Sequence, residues 1–329
     1  MQTSTVAKRR LGNSGLEVAP LIFGGNVFGW TVNESEGAKL LDHFVDNEFN
    51  MVDTADVYSN WIAGNHGGES ETIIGKWLKQ SGKRDQVLIA TKSGLDMGGG
   101  RKGLSRKHIL RSAEESLARL QTDYIDLYQS HTEDKESPLE ETLEAYSELI
   151  KSGKVRAIGA SNFRAETLRE ALQTSSEKGL ARYESLQPHY NLYERAEFEG
   201  DLEAVCRQSN IGVIPYFSLA SGFLTGKYRS EKDLANRRRG SRVQKYLNPR
   251  GFRILAALHE VASNYAANPA QISLAWLLSK PAITAPIASA TNLQQLNELL
   301  AAIRLKLDDA AVRKLDDASK YLENEQRVA

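Results

Sequence analysis

The chain has 329 residues, 41% of them apolar, and is long enough to bury a large core in one or two domains. Lysine plus arginine and aspartate plus glutamate number 42 each, so no global field favours nucleic acid or an anionic membrane as a partner. The single cysteine, Cys206, excludes an internal disulfide framework and a cysteine-cluster metal site, and no metal site is expected. Residues 1–10 carry charge with no apolar stretch behind them, and no apolar run approaches about 18 residues, so we expect a cytoplasmic protein without a signal peptide or membrane span.

Short apolar or β-branched runs alternate with segments of helical period, which indicates βα units and a parallel sheet. The turn-rich residues 11–18 predict a hairpin before the first unit. Strands are then expected near residues 21–23, 50–54, 87–92, 124–130, 155–160, 184–188, 211–216 and 283–288. Helices are expected near residues 33–45, 69–80, 105–121, 138–150, 165–178, 199–209, 250–264, 270–279 and 292–302.

Eight strands interleaved with helices predict an α/β fold of the (β/α)8 TIM-barrel type, with an N-terminal β-hairpin and extra C-terminal helices. One domain over residues 1–329 is expected. Strand order cannot be taken from pattern alone, so a doubly wound sheet is the alternative. Residues 224–249 have little periodicity, and a loop of that length in a compact domain is usually functional or mobile.

Four polar residues stand at or just after the ends of predicted strands: Asp53, Tyr58, Lys92 and His131. Because the carboxyl ends of barrel strands gather at one face, we expect these side chains to meet. There Lys92 would favour the phenolate and strengthen Tyr58 as an acid, Asp53 would keep Lys92 charged, and His131 would position a carbonyl oxygen or relay a proton. Taken singly, each residue has a structural explanation: a helix cap for Asp53, a solvated strand end for Lys92, and packing for the other two.

The order of the motifs resembles the aldo-keto reductase family over nearly the whole chain. Asp53-Thr-Ala-Asp-Val-Tyr58 resembles the family's Asp-x-Ala-x-x-Tyr pattern, and Gly68-Glu-Ser-Glu71 resembles the helix start that follows it. Lys92 ends Ala90-Thr-Lys92, and His131 ends Asp126-Leu-Tyr-Gln-Ser-His131. The resemblance implies a (β/α)8 barrel with a hairpin across its bottom. It also implies a catalytic tetrad, with Tyr58 as the acid, Asp53 and Lys92 tuning it, and His131 orienting the carbonyl.

No Gly-x-Gly-x-x-Gly sequence follows a predicted strand, so a Rossmann dinucleotide site is not expected, and the glycines of residues 98–103 are interpreted as a loop at the barrel mouth. The resemblance instead implies a cofactor along the barrel top, NADPH by preference with NADH also accepted. Segments that resemble the carboxamide, ring-stacking, pyrophosphate and adenosine sites supply Ser161, Asn162, Gln187, Tyr216, Ser218, Leu219, Ser221, Gly222, Leu224, Gly226, Lys227, Arg237, Ser289, Thr291 and Gln295. For Tyr216 the alternative is a buried ring that contacts no ligand.

The chain departs from the family pattern in two places. Phe217-Ser218 stands where relatives often have Ser-Pro. Thr291-Asn292 stands where relatives usually supply an arginine for the 2′-phosphate. Arginine recognises phosphate by charge and bidentate geometry, so NADPH preference would depend on an arginine of the basic run 237–239 reaching across from the long loop. The alternative is that this run is a solvated surface.

Phe28, Trp30 and Trp61 lie in the loops near Tyr58 and are expected to form an apolar substrate mouth. The sequence therefore favours a reductase of an aldehyde or ketone, with no nucleic-acid or membrane partner and with homo-oligomers allowed. One alternative is a redox-sensing, cofactor-binding protein with little turnover, like the potassium-channel β subunits that residues 24–30 and 219–228 resemble. Another is an unrelated barrel enzyme that binds phosphorylated substrates through the basic run.

Overall fold

A short antiparallel hairpin precedes a sheet of eight parallel strands in residues 6–235 and 238–322, the part of the chain that the computed structural model describes. The hairpin consists of β1 (Arg9–Arg10) and β2 (Glu17–Val18). The parallel strands are β3 (Ile22–Gly24), β4 (Met51–Asp53), β5 (Leu88–Ser93), β6 (Ile125–Ser130), β7 (Val155–Ser161), β8 (Tyr183–Gln187), β9 (Gly212–Val213) and β10 (Ile287–Ala288).

The strands follow one another in chain order from β3 to β9, and β10 lies beside β3. Contacts between the β9 segment and the β10 segment close the ring. Val213 forms a parallel bridge with Ile283, and the amide of Ile287 donates to the carbonyl of Pro215 at 2.9 Å. The sheet is therefore a (β/α)8 barrel, as predicted, and not a doubly wound sheet.

Helices follow the strands around the barrel, and those up to residue 302 outside the long loop lie close to the predicted bounds, whereas the helix at Asp309–Ser319 was not predicted. Asn33 and Ser105 are N-caps whose side chains accept hydrogen bonds from the amides of Glu36 and His108. The helices are α1 (Glu34–Asp46), α2 (Glu69–Ser81), α3 (Arg106–Leu120), α4 (Leu139–Lys151), α5 (Ala165–Lys178), α6 (Asp201–Gln208), α7 (Gly240–Val243), α8 (Pro249–Asn264), α9 (Pro269–Ser279), α10 (Leu293–Ala302) and α11 (Asp309–Ser319). In the described residues, no helix is both long enough and apolar enough to cross a membrane.

Two strands are shorter than predicted, and the long loop contains short helices. β9 and β10 each keep two residues of the expected runs 211–216 and 283–288. Pro215 and Pro286 lie in these runs, and proline removes the amide that a strand ladder needs. In the long loop, α7 and 3₁₀ turns at Glu231–Leu234 and Gln244–Tyr246 are too short to show a helical period in sequence.

The inside of the barrel is apolar at the hairpin end and polar at the carboxyl ends of the strands. Leu11, Leu16 and Val18 of the hairpin region form one cluster with inward-facing residues of the strands: Ile22, Met51, Ala90, Leu127, Ala157, Ile214, Ala285 and Ile287. Because alternate residues of a strand share a face, Lys92 points inward with Ala90, and His131 points inward with Leu127. A larger cluster fills the space between the outer face of the sheet and the helices.

We expect the apolar cluster that Leu11, Leu16 and Val18 form with the strands to contribute to the stability of the barrel. Leu11 is fully buried, so Leu11→Ala should lower the free energy of unfolding by about 2–4 kcal/mol through lost apolar burial and a residual cavity. Leu293→Ala is the matched control, because that side chain is 42% exposed. Urea unfolding followed by tryptophan fluorescence measures both. Equal midpoints for the two variants would show that the hairpin does not stabilise the barrel.

Candidate active site

Lys92 is fully buried at the end of β5, and its ammonium has three hydrogen-bond acceptors. Nζ donates to Asp53 Oδ2 at 2.8 Å, to the carbonyl of Thr54 at 2.7 Å and to the Tyr58 hydroxyl oxygen at 3.1 Å. Burial by itself lowers the pKa of Lys92, but the Asp53 carboxylate and Tyr58 outweigh it, so this pKa lies above its ordinary value. The ammonium is therefore charged at neutral pH.

Asp53 connects Lys92 to two amide side chains. Its second oxygen, Oδ1, accepts from Gln129 Nε2 at 3.2 Å and from Gln187 Nε2 at 2.9 Å. Gln129 was not among the predicted site residues. It lies two positions before His131 on β6, so strand alternation indicates its inward direction, although nothing local indicates its partner.

The Tyr58 hydroxyl lies against Lys92 at one side of a cavity. Burial raises the pKa of Tyr58 above its ordinary value, and the opposing effect of the Lys92 ammonium does not cancel it. Lys92 acts on this pKa in the predicted direction, but desolvation of the phenolate is the larger effect and makes the net shift upward. Tyr58 carries its proton throughout the neutral range.

His131 faces Tyr58 across 6.1 Å between ring centroids. Burial and the Lys92 charge hold the pKa of His131 well below its ordinary value, so the imidazole is neutral at pH 7. Its Nδ1 is buried and has no hydrogen-bond partner among the described residues. The structure thus brings all four residues of the predicted tetrad together, with a neutral histidine beside a protonated phenol.

A cavity of about 1000 Å³ opens above the tetrad. Twelve of the predicted cofactor residues line it: Ser161, Asn162, Gln187, Tyr216, Ser218, Leu219, Ser221, Gly222, Lys227, Ser289, Thr291 and Gln295. Leu224 and Gly226 do not: Leu224 is buried in the core, and Gly226 packs against His259 and Pro269. Arg237 lies outside the described residues.

The wall next to His131 carries amide and aromatic groups. Asn162 Nδ2 donates to the carbonyl of His131 at 2.9 Å, and Asn162 Oδ1 accepts from the Tyr216 hydroxyl at 2.8 Å. Tyr216 lines the cavity, so it is not an enclosed core ring, and His189 stacks on it at 5.2 Å. His189 was missed in the sequence because nothing in its local pattern indicates a stacking partner. Amide groups next to an accessible ring suit a carboxamide-bearing ring as ligand.

The loop after β9 contains left-handed residues at a tight turn. A 3₁₀ segment, Ala220–Thr225, has left-handed φ values of 57° at Ser221 and 98° at Gly222. Such turns of mixed handedness can direct successive amides toward an anion. Lys227 lines the cavity beside this loop and adds a positive charge.

At the far end of the cavity, which the Glu298 carboxylate also lines, Ser289, Thr291 and Gln295 are uncharged and form hydrogen bonds within the wall. The Thr291 amide and hydroxyl both donate to Gln295 Oε1 at 3.0 Å, and the Ser289 hydroxyl donates to Asn26 Oδ1 at 2.7 Å. Arg238 and Arg239 of the basic run line the same cavity. These two arginines are therefore at the cavity wall, where Arg238 is exposed to solvent and Arg239 is half-buried.

The comparisons with known proteins agree with this geometry. Residues 20–320 match the model of the Aldo/keto reductase family. The chain belongs to the aldo/keto reductase family. It is 33% identical to the uncharacterized oxidoreductase YrpG of Bacillus subtilis (strain 168), over 93% of this chain and 94% of that protein. It is also 33% identical to the aldo-keto reductase YhdN of the same strain, over 91% and 88%, and 31% identical to the versiconal hemiacetal acetate reductase of Aspergillus parasiticus, over 94% and 95%. Family membership makes the chain an oxidoreductase.

Of the three residues predicted to form the substrate mouth of this aldo/keto reductase, Trp61 lines the cavity and Trp30 packs against Trp61. Trp30 and Trp61 meet edge to face at 6.0 Å, and Trp61 lies 6.1 Å from the Tyr58 ring. Phe28 is a correction: it is fully buried and stacks on Phe23 at 5.4 Å, so it belongs to the core.

We expect His131 to remain neutral well below the ordinary histidine pKa near 6.5, since burial and Lys92 both disfavour the imidazolium. Proton–nitrogen NMR of the ring, titrated from pH 8 to pH 5, measures this. The resonances are assigned by their loss in His131→Asn. A titration midpoint at or above 6.5 would contradict the structure, because the lowered pKa requires protonation only on the acid side of that value.

Proposed function

We propose that this protein reduces an aldehyde or a ketone to the alcohol at the Tyr58 hydroxyl, with NADPH as preferred cofactor and NADH accepted. The observation that carries the proposal is the buried Lys92 ammonium, which lies 3.1 Å from the phenol oxygen and 2.8 Å from Asp53. This arrangement supports the proposal because a protonated phenol lies at the wall of a cavity next to a charge that would stabilise its anion. Protonation of a developing oxyanion is the chemistry that such a pair serves.

Each of the four tetrad residues has a separate role in the proposed reaction. When bound, the nicotinamide supplies the hydride that adds to the carbonyl carbon. Tyr58 donates its proton to the carbonyl oxygen as negative charge develops there, and Lys92 stabilises the phenolate that is left. Asp53 keeps Lys92 charged, and neutral His131 orients the carbonyl oxygen.

The cavity residues fit a nicotinamide dinucleotide. Ser161, Asn162 and Gln187 would hold the carboxamide, and Tyr216 would stack on the ring. The loop after β9 and Lys227 would hold the phosphates. Two observations support the fit: a cavity of about 1000 Å³ joins these groups to Tyr58, and the turn around Gly222 is of a kind that favours an anion.

Replacement of Tyr58 tests the proposed acid. Tyr58→Phe should lower kcat by about a hundredfold to ten-thousandfold, the usual contribution of a positioned acid, and leave the cofactor Kd within about twofold. The measurement is NADPH oxidation by the purified protein against a panel of aldehydes and ketones, with cofactor binding followed by fluorescence.

Tyr124→Phe provides a matched control, because the Tyr124 ring lies between the guanidiniums of Arg84 and Arg156, at 3.8 and 4.1 Å, and does not line the cavity. Near-normal turnover of Tyr58→Phe would refute the assignment of the acid. Tight NADPH binding by the wild-type protein with almost no turnover would favour the redox-sensing alternative. Family membership already removes the third alternative, an unrelated barrel enzyme.

The end of the cavity around Thr291 bears on cofactor choice, because Thr291 stands where relatives supply an arginine for the 2′-phosphate. With Arg238 of the basic run at the cavity wall to supply this charge, the Michaelis constant for NADPH should be lower than that for NADH, with both cofactors used. Thr291→Arg should widen this difference, since a guanidinium recognises the 2′-phosphate by charge and bidentate hydrogen bonds. Thr291→Leu removes the hydroxyl without adding charge and should leave the ratio near the wild-type value. Strict NADH dependence of the wild-type protein would contradict the proposed preference.

A further inference from the structure

Two arginines of the long loop stack on the tryptophans at the cavity mouth. The Arg239 guanidinium lies 5.3 Å from the Trp30 ring, and the Arg242 guanidinium lies 5.6 Å from Trp30 and 6.0 Å from Trp61. Arg238 Nη1 donates to the carbonyl of Trp30 at 2.8 Å, which ties the loop to the mouth. The result is an apolar surface edged by positive charge.

No carboxylate in the described part of the chain neutralises this charge. Among the described residues, no carboxylate forms an ion pair with Arg239 or Arg242. Lys245, which lines the same cavity, does have such a partner, since its Nζ lies 2.7 Å from Glu194. Burial and the neighbouring Arg242 lower the pKa of Arg239, so the two guanidiniums repel one another. An anion bound between them would relieve that repulsion and form charge-assisted hydrogen bonds.

The pair is close enough to Tyr58 to contact the same small molecule. Trp61 lies 6.1 Å from the Tyr58 ring and 6.0 Å from the Arg242 guanidinium, so that guanidinium lies within about 12 Å of the Tyr58 ring. A carbonyl compound with its oxygen at Tyr58 could place an apolar spacer against Trp61 and an anionic group at the arginines, since Trp61, Arg239 and Arg242 all line the cavity. In such a molecule, the carbonyl oxygen would face the Tyr58 hydroxyl and the anionic group would face the two guanidiniums.

We infer that the site selects aldehydes or ketones that carry an anionic oxygen group, carboxylate or phosphate, with Arg239 and Arg242 as the residues that bind it. The inference rests on the proposed reductase function and adds a substrate class to it. Arg242 contacts Trp61, whose ring lies 6.1 Å from the Tyr58 ring, and Arg239 contacts Trp30, which packs against Trp61. The predicted phosphate-binding residues of the cofactor site are Lys227, the loop after β9 and Arg237, and Arg238 is the other arginine of the basic run at the cavity wall. Arg239 and Arg242 therefore serve the substrate end of the cavity.

Charge-removal variants test the inference with paired substrates. Arg239→Gln and Arg242→Gln should each raise the KM for 4-carboxybenzaldehyde by about 10- to 100-fold, the equivalent of one or two charged hydrogen bonds. The KM for neutral methyl 4-formylbenzoate and for NADPH should change by less than about twofold. Lys232→Gln removes an exposed charge from the same loop, away from the cavity wall, and should change none of these. Arg239→Lys, which keeps the charge without the forked donors, should fall between wild type and Arg239→Gln.

Each alternative outcome is decisive. Equal losses on charged and neutral substrates, or a loss confined to the KM for NADPH, would overturn the inference and assign the arginines to packing or to the cofactor. A wild-type protein that reduces neutral aldehydes without preferring charged ones would overturn it while leaving the proposed function intact. A comparison of 4-carboxybenzaldehyde with 4-formylphenyl phosphate identifies the preferred anion.

If no carbonyl compound is reduced, the proposed function fails, and binding decides the inference separately. Titration calorimetry of 4-(hydroxymethyl)benzoate into the NADP⁺-loaded protein is independent of turnover. Binding that weakens at least tenfold in Arg239→Gln supports the anion site. Binding that is absent, or unaffected by that substitution, overturns it.

Discussion

The ammonium of Lys92 is the constraint on which the rest of the site depends. An isolated ammonium without water would cost several kcal/mol, and Lys92 is fully buried. Its three protons require three acceptors, and Asp53, the Thr54 carbonyl and the Tyr58 hydroxyl supply them. All three acceptors lie on β4 or just after it. The hydrogen bonds from the Lys92 ammonium on β5 therefore also hold the segment after β4 in place. The position of the Tyr58 proton follows from this arrangement.

The same requirement extends across the barrel through Asp53. Gln129 on β6 and Gln187 on β8 both donate to its second oxygen, which joins four strands into one polar layer. β7 contributes Gly159 at this level, where a Cβ atom would lie 2.3 Å from the Ser185 hydroxyl oxygen. A larger residue there would displace its neighbours. This polar layer lies above the apolar cluster at the hairpin end of the barrel. Both oxygens of the buried Asp53 carboxylate accept hydrogen bonds within the layer.

The tetrad and much of the remaining cavity wall come from different parts of the fold. Asp53, Lys92 and His131 lie at or just after the ends of strands. The groups from Lys227 to Arg242 that line the rest of the cavity come from the long loop after β9. In the proposed function, loop residues can therefore differ while the proposed donor, Tyr58, keeps its place. The two arginines beside Trp30 and Trp61, which have no carboxylate partner among the described residues, are a feature of this kind.

Local sequence determined much of the barrel, because strand and helix periods and end residues are properties of short segments. Asp53, Lys92 and His131 each end an apolar run, so alternation alone indicates that they face inward at the same end. The aldo/keto reductase motif added Tyr58. By contrast, neither the pattern nor the motif identified Gln129 or His189, because their roles depend on partners distant in sequence. Phe28 illustrates the same limit: it lies two residues before Trp30, yet the turn at Gly29, with φ of 72°, separates a core ring from a mouth ring.

The net shift of the Tyr58 pKa was also decided only by the tertiary structure. The sequence indicated the direction of the Lys92 effect but not the depth of burial that outweighs it. Local periodicity determines which way a side chain points. Desolvation, loop path and hydrogen-bond partners depend on contacts that form only when the whole barrel closes.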